Sequence, residues 1–247
     1  MFGFRPDPKS TPLDISDPEK PRSALLLAIA ALVTILLWQI PLGNYLLYPF
    51  TILATWFHEM GHGLTAILLG GYFRELVIYP SGSGFARYGG EVLLGNLGHG
   101  LVAIGGPLGP AIAGSVFILS SRSHRATDIC FKALGIIILA SVLLWVRSLF
   151  GIVFMTLVGI AILLVAYRGN RWLKGISIQF LGVQACISTF QQMDYLFTYA
   201  MPGGQLSDTG LLQRYLWLPY WLWGALISVM TLGLLLWSLK VAYTRPK

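Results

Sequence analysis

Apolar residues in this chain gather in runs of about 18 to 25, separated by short polar or glycine-rich breaks, which is the length a helix needs to cross the hydrocarbon core of a bilayer. The runs predict about seven spans, near 23–40, 45–69, 98–120, 129–146, 149–167, 173–197 and 216–239. Pro41-Leu42-Gly43-Asn44 reads as a tight turn after the first, and Gly70-Gly71 as the end of the second. Between the second and third spans the helical period disappears. Leu76, Ile78 and Tyr79 favour a strand, Pro80-Ser81-Gly82-Ser83-Gly84 a turn, and Phe85-Ala86-Arg87-Tyr88 a returning strand. The fold class expected is therefore an all-α polytopic membrane protein with a short membrane-associated β-hairpin between spans two and three. An open edge on that hairpin would suit an extended peptide added as a further strand.

Composition agrees with the pattern. Hydrophobic residues make up 55% of the 247 and charged residues 11%, and the mean hydropathy is +0.70, well outside the soluble range. A net charge of +7 invites a nucleic-acid partner, but the cations sit in short clusters between apolar runs. That arrangement fits lipid headgroups and excludes a single basic stripe for nucleic acid. Lysine and arginine divide almost evenly between the two sides of a seven-span chain, so charge assigns no orientation. Residues 1–22 are polar and interrupted by Pro6, Pro8, Pro12, Pro18 and Pro21, which predicts a solvated tail; they lack a small-residue cleavage site before the first run. Cys130 and Cys186 fall inside spans and read as small buried apolar residues. No internal repeat divides the chain into the pseudo-symmetric halves of a transporter.

The chemistry concentrates in span two, at Trp56-Phe57-His58-Glu59-Met60-Gly61-His62-Gly63. On a helix His58 and His62 are i and i+4 and share a face, where two imidazoles can hold one zinc ion. Glu59 points to a neighbouring part of the surface, suited to take a proton from a zinc-bound water rather than to ligate. Three polar side chains within five residues of a membrane span cost several kcal/mol unless something pairs them, roughly a few for each group. Span three carries Gly105-Gly106-Pro107-Leu108-Gly109-Pro110-Ala111, small residues that allow a close approach to the histidine helix and prolines that would kink or open it.

A hydrolytic zinc needs a third protein ligand. Outside the tail and the motif, the candidates are Glu75, Glu91, His99, His124, Asp128, Asp194 and Asp208. Asp194 follows Gln191-Gln192-Met193 at the end of span six, and Asp208 lies in the glycine-rich loop from Met201 to Gly210. Each also has a plain structural role available: Asp208 as the N-cap of a short helix, Asp194 as an interfacial carboxylate.

The His-Glu-Met-Gly-His-Gly motif in a membrane helix, the Gly-Gly that follows, the Gly-Gly-Pro-Leu-Gly-Pro helix and the late aspartate loop together resemble the site-2-protease family of intramembrane zinc metallopeptidases, in its compact, PDZ-less M50B-like branch. The family pattern has a Gly-Pro-x-x-Asn helix and a late Asp-Gly. Here Gly106-Pro107 matches, Pro110 stands where the asparagine would be, and Ser207-Asp208-Thr209-Gly210 replaces Leu-Asp-Gly. The Pro-Gly-Gly-x-Leu-Ser-Asp approach to Asp208 resembles the family's lead into its aspartate ligand. The resemblance implies a transmembrane metallopeptidase domain over 23–247, with His58, His62 and Asp208 as zinc ligands and Glu59 as the catalytic base. Asp194 is the alternative third ligand, or an orienter of the histidines. The resemblance also implies a multi-pass protein of the cell (plasma) membrane, whose partners are the lipid bilayer and a membrane-protein substrate. A non-proteolytic membrane protein with a structural or ligand-binding zinc is the competing reading.

Overall fold

The computed structural model describes residues 28–29, 31–37 and 39–244; the polar tail expected over 1–22 lies outside them. The elements are α1 (Ala31–Leu37), α2 (Pro41–Leu68), β1 (Tyr72–Ile78), β2 (Gly84–Gly89), α3 (Asn96–Ser120), α4 (His124–Leu144), α5 (Leu149–Arg168), α6 (Arg171–Gln191), the single turn α7 (Met193–Leu196), α8 (Asp208–Leu216) and α9 (Tyr220–Tyr243).

Four of these helices, α3, α4, α5 and α9, are long and apolar enough to cross a membrane, and the bent pair α1 and α2 adds a fifth if counted as one span. The expectation of seven is thus met only in part. The expected first and second spans together make at most one bent span, and the rest of the shortfall is α6. α6 carries Lys174, Gln179 and Gln184, and each is paired internally: Lys174 with Asp128 at 2.6 Å, Gln179 with Ser121 at 2.8 Å, and Gln184 with Thr34 at 2.6 Å. Polar groups satisfied inside the bundle lower a helix's hydropathy without facing lipid.

Some boundaries also move. The turn expected at Pro41 is instead the first turn of α2, because proline's fixed φ and missing N–H suit that position. Span six ends at Gln191 rather than running to Phe197, and α7 follows as a separate turn. The last span starts at Tyr220 rather than Leu216, since Trp217 takes a left-handed φ of 67° and Pro219 follows it. α3 stays helical through Pro107 and Pro110 instead of opening there.

The hairpin forms as the sequence predicts. β1 and β2 are antiparallel, with Leu76 opposite Ala86 and Ile78 opposite Gly84, and a bulge lies between Phe73 and Glu75. The hairpin folds back along α2: Tyr48 donates to Pro80 O at 2.7 Å and Thr55 to Gly82 O at 2.5 Å. One of its edges is closed. Leu76 N–H donates to Trp145 O at 2.8 Å, and Arg147 N–H donates to Leu76 O at 2.9 Å. The Ser148 hydroxyl, besides capping α5, donates to Ile78 O at 2.8 Å and accepts from Ile78 N–H at 3.1 Å. Among the described residues no strand pairs with the outer edge of β2, where the Ala86 N–H meets the Glu59 carboxylate.

Below the hairpin, α2 divides into two faces. One carries Trp56, Phe57 and Met60 into the main core with Phe73, Leu76, Phe117, Phe131 and Ile138. Trp56 is 2% exposed, and its indole N–H meets the Ser141 hydroxyl at 2.9 Å. The other face meets α3 through glycine. A β-carbon on Gly61 would collide with Gly105 O, and one on Gly109 would come within 2.6 Å of Phe57 O. Backbone-to-backbone contact of this kind is what small residues allow between membrane helices. It brings α3 against the histidines.

Candidate metal centre

His58 and His62 sit one helical turn apart on α2, ring centroids 4.9 Å apart, with their Nε2 atoms at 3.2 Å. The His62 Nδ1 lies 2.8 Å from Val102 O on α3. A carbonyl only accepts, so Nδ1 carries the proton and Nε2 offers its lone pair inward. Asp208, from the first turn of α8, reaches across to both rings, with Oδ2 at 3.0 Å from His58 Nε2 and Oδ1 at 3.3 Å from His62 Nε2.

The position of Asp208 is prepared by its neighbour. Ser207, not Asp208, is the N-cap of α8, accepting from Gly210 N–H at 3.0 Å, and its hydroxyl also bonds Thr198 O. The aspartate is thereby released from the capping role the sequence allowed it. Its backbone N–H donates to the Tyr195 hydroxyl at 3.2 Å. α8 itself is held to α3, where a β-carbon on Gly100 would come within 2.6 Å of Leu216.

His58, His62 and Asp208 are all buried, and one ligand atom from each lies within 4.8 Å of the other two. Among the described residues this is the one group of three such side chains so arranged. The Asp208 Oδ2 atom is buried and makes no hydrogen bond. The His62 Nε2 lone pair, the His58 Nε2 atom and the Asp208 carboxylate crowd one point and are held together only if a proton or a cation lies between them. Two nitrogens and one oxygen form the donor set of three that a catalytic zinc takes from protein. The residues fit the ion.

Glu59 is buried as well, 7% exposed, and lies beside the cluster on its hairpin side. Its carboxylate takes a backbone hydrogen bond from Ala86, and a β-carbon on Gly84 would meet its Cγ at 3.2 Å. The other sequence candidates lie elsewhere. Asp194 is exposed on α7, Glu91 is exposed, and Glu75 pairs with Arg87 at 2.9 Å. Asp128 is held between Lys132 and Lys174, His99 stacks on Tyr215 at 5.0 Å, and His124 opens α4. Sequence reasoning did not single out Tyr195, which lies next to the considered Asp194, nor the capping role of Ser207. The Ser-Asp-x-Gly order held a signal for the second, since serine one residue ahead can cap in place of the aspartate. Nothing local marks Tyr195.

The fold and this centre define a polytopic helical membrane protein with a buried His-His-Asp cluster and a glutamate beside it. A family model described as Peptidase M50B-like matches residues 26–238, and the chain belongs to that family, the site-2-protease family of membrane-embedded metallopeptidases. No curated protein and no solved structure matches the chain.

Proposed function

We propose that this protein is an intramembrane zinc endopeptidase of the cell membrane that cleaves transmembrane or membrane-associated segments of other proteins. The observation that carries the reading is the convergence of His58, His62 and Asp208 on one point, with an unbonded carboxylate oxygen and with Glu59 on the next position of the same helix. Zinc held by those three residues would supply a Lewis acid and bring the pKa of a bound water to about 7. Glu59 takes a proton from the attacking water and delivers it to the leaving amide nitrogen as the C–N bond breaks. We read α2 and α6 as spans alongside the apolar helices, their polar groups turned to the interior.

The hairpin supports a route for presenting substrate. A membrane helix hides its carbonyls in i to i+4 bonds and must be extended before hydrolysis. Leu76 spends its N–H and C=O on Trp145 and Arg147, so its antiparallel partner Ala86 also turns its backbone groups away from β1. The free edge of β2 therefore faces the side on which Glu59 meets Ala86. A strand added to that edge would take the Ala86 N–H from Glu59 and bring its own carbonyls alongside the released base.

A second reading, a membrane protein that keeps zinc for structure or binding, is favoured by Pro110 in place of the family's asparagine and by Asp208-Thr209-Gly210 in place of Asp-Gly. One experiment separates them. Detergent-purified protein never exposed to chelator is assayed for zinc by elemental analysis and, after reconstitution, for cleavage of transmembrane test segments, beside Glu59→Gln. One zinc per chain in both, with cleavage only in the wild type, supports the peptidase. Zinc in both with no effect of Glu59→Gln on function supports the second reading, and a wild type without zinc ends both.

A further inference from the structure

The lining of the centre is rich in acceptors and poor in donors. Asp208 and Glu59 accept, and the inward His62 Nε2 is a lone pair because its Nδ1–H is spent on Val102 O. The nearby hydroxyls of Thr55 and Thr65 donate to Gly82 O and Gly61 O. α3 meets the histidine helix with Gly105, Gly106 and Gly109, which have no side chain to give. Hydrolysis needs a donor, because negative charge grows on the carbonyl oxygen as water adds to its carbon, and fixed hydrogen bonds to that oxygen are among the largest contributions to rate.

Tyr195 fills this gap. α7 is a single turn pinned by Leu196, 1% exposed in a cluster with Leu212 and Ile227, and a β-carbon on Gly224 would come within 2.6 Å of Leu196 O. The turn directs Tyr195 at the cluster from the side of α7, whereas Glu59 approaches the hairpin. Its ring stands edge-on to His58 with centroids 6.2 Å apart. Its oxygen accepts from Asp208 N–H, and its own proton is directed at the Asp208 carboxylate, from which it would turn to a substrate oxygen once a metal takes that carboxylate. A phenol is neutral at ordinary pH and keeps that proton.

We propose that Tyr195 is a further catalytic residue of this centre, its phenolic O–H donating to the oxygen of the peptide carbonyl under attack. The inference rests on the metallopeptidase reading above. As water adds to the carbonyl carbon, one of its protons passes to Glu59 and the C=O π pair moves onto the oxygen that Tyr195 holds. When the C–N bond breaks, that pair returns, Glu59 protonates the nitrogen, and Tyr195 has neither gained nor lost a proton.

The test uses full-length protein loaded with cobalt in place of zinc, whose visible spectrum reports ligands without turnover. The probe is a hydrophobic peptide phosphinate, with a tetrahedral anionic centre, and imidazole serves as a ligand that offers no oxyanion. Tyr195→Phe is expected to keep one metal per chain, its melting temperature and its imidazole affinity, and to bind the phosphinate about 100-fold more weakly, the scale of one lost oxyanion donor. Phosphinate affinity within about twofold of wild type overturns the proposal. So does loss of metal in Tyr195→Phe, which would make the tyrosine a support for Asp208. A wild type that holds cobalt but ignores the phosphinate refutes the tyrosine's role and leaves the metal centre standing. A wild type that takes up no metal fails at the earlier step, the metallopeptidase reading itself.

Discussion

Gly106 and His62 lie so close across the α2–α3 crossing that a β-carbon on the glycine would overlap Nε2 of the imidazole and come within 2.8 Å of Nε2 of His58. The space between the two histidines and Asp208 exists because α3 presents hydrogen there. Gly106→Ala is therefore expected to lower metal affinity at least about tenfold, since even small displacements around ligands cost that much. Gly233→Ala on α9, where a β-carbon meets nothing within 4 Å, is the control and should leave metal content unchanged. Zinc titration of both variants decides.

Asp208→Ala should abolish stoichiometric zinc, and Asp194→Ala should retain it, because Asp194 is exposed on α7 while Asp208 touches both rings. Elemental analysis of the two variants side by side is the measurement. Retention in the first with loss in the second would reverse the ligand assignment. Chelation of the wild type should also lower its melting temperature, because an ion that binds only the folded chain stabilises it.

Glu59→Gln preserves shape and removes the carboxylate proposed as the base. The expected result is unchanged zinc and a fall in cleavage of about 100-fold or more, the usual size of general-base catalysis. Cleavage within a few-fold of wild type would assign the proton transfer elsewhere.

Ser148→Ala tests how the hairpin is docked. That hydroxyl bonds both backbone groups of Ile78 and caps α5 at Gly151 N–H, so its loss should cost about 1–2 kcal/mol. Hydrogen exchange should locate the effect at the end of β1, with faster exchange at Ile78 and little change in α3. Uniform acceleration throughout the bundle would contradict a local role for the serine.

Ala86→Pro removes the backbone N–H that meets Glu59 and that an added strand would take, while keeping the β2 position. It is expected to leave zinc in place and to reduce cleavage of transmembrane segments, with binding of a non-cleavable segment weakened in parallel. Unaltered binding would remove β2 from substrate presentation.

How much was legible beforehand follows from the range of the interactions involved. The His58–His62 pairing is one helical turn, a local geometry that spacing alone predicts, and the hairpin was read from a turn and two short β-rich segments close together in the chain. The glycines of span three predicted close packing on the histidine helix, and the contacts of Gly61, Gly105 and Gly109 carry it out. Span counting succeeded only in part, because the expected first and second spans form one bent pair and because hydropathy treats every residue of α6 as if it faced lipid. In α6 the Lys174, Gln179 and Gln184 side chains face partners on other helices instead.

The sequence by itself determined the membrane class, the helix that bears the two histidines, the presence of a hairpin and, through the order of several short motifs, the family, all of which depend on composition or on motifs whose residues lie a few positions apart. Only the tertiary structure decided which of two late aspartates meets the histidines, because that depends on α8 docking on α3 and on Ser207 taking the cap in place of its neighbour. It also decided that, among the described residues, the outer edge of β2 is left without a strand partner while the edge of β1 is closed by Trp145 and Arg147, about seventy residues further along the chain. Contacts across such separations leave no periodic trace in a sequence; they are chosen by which surfaces pack when the helices come together.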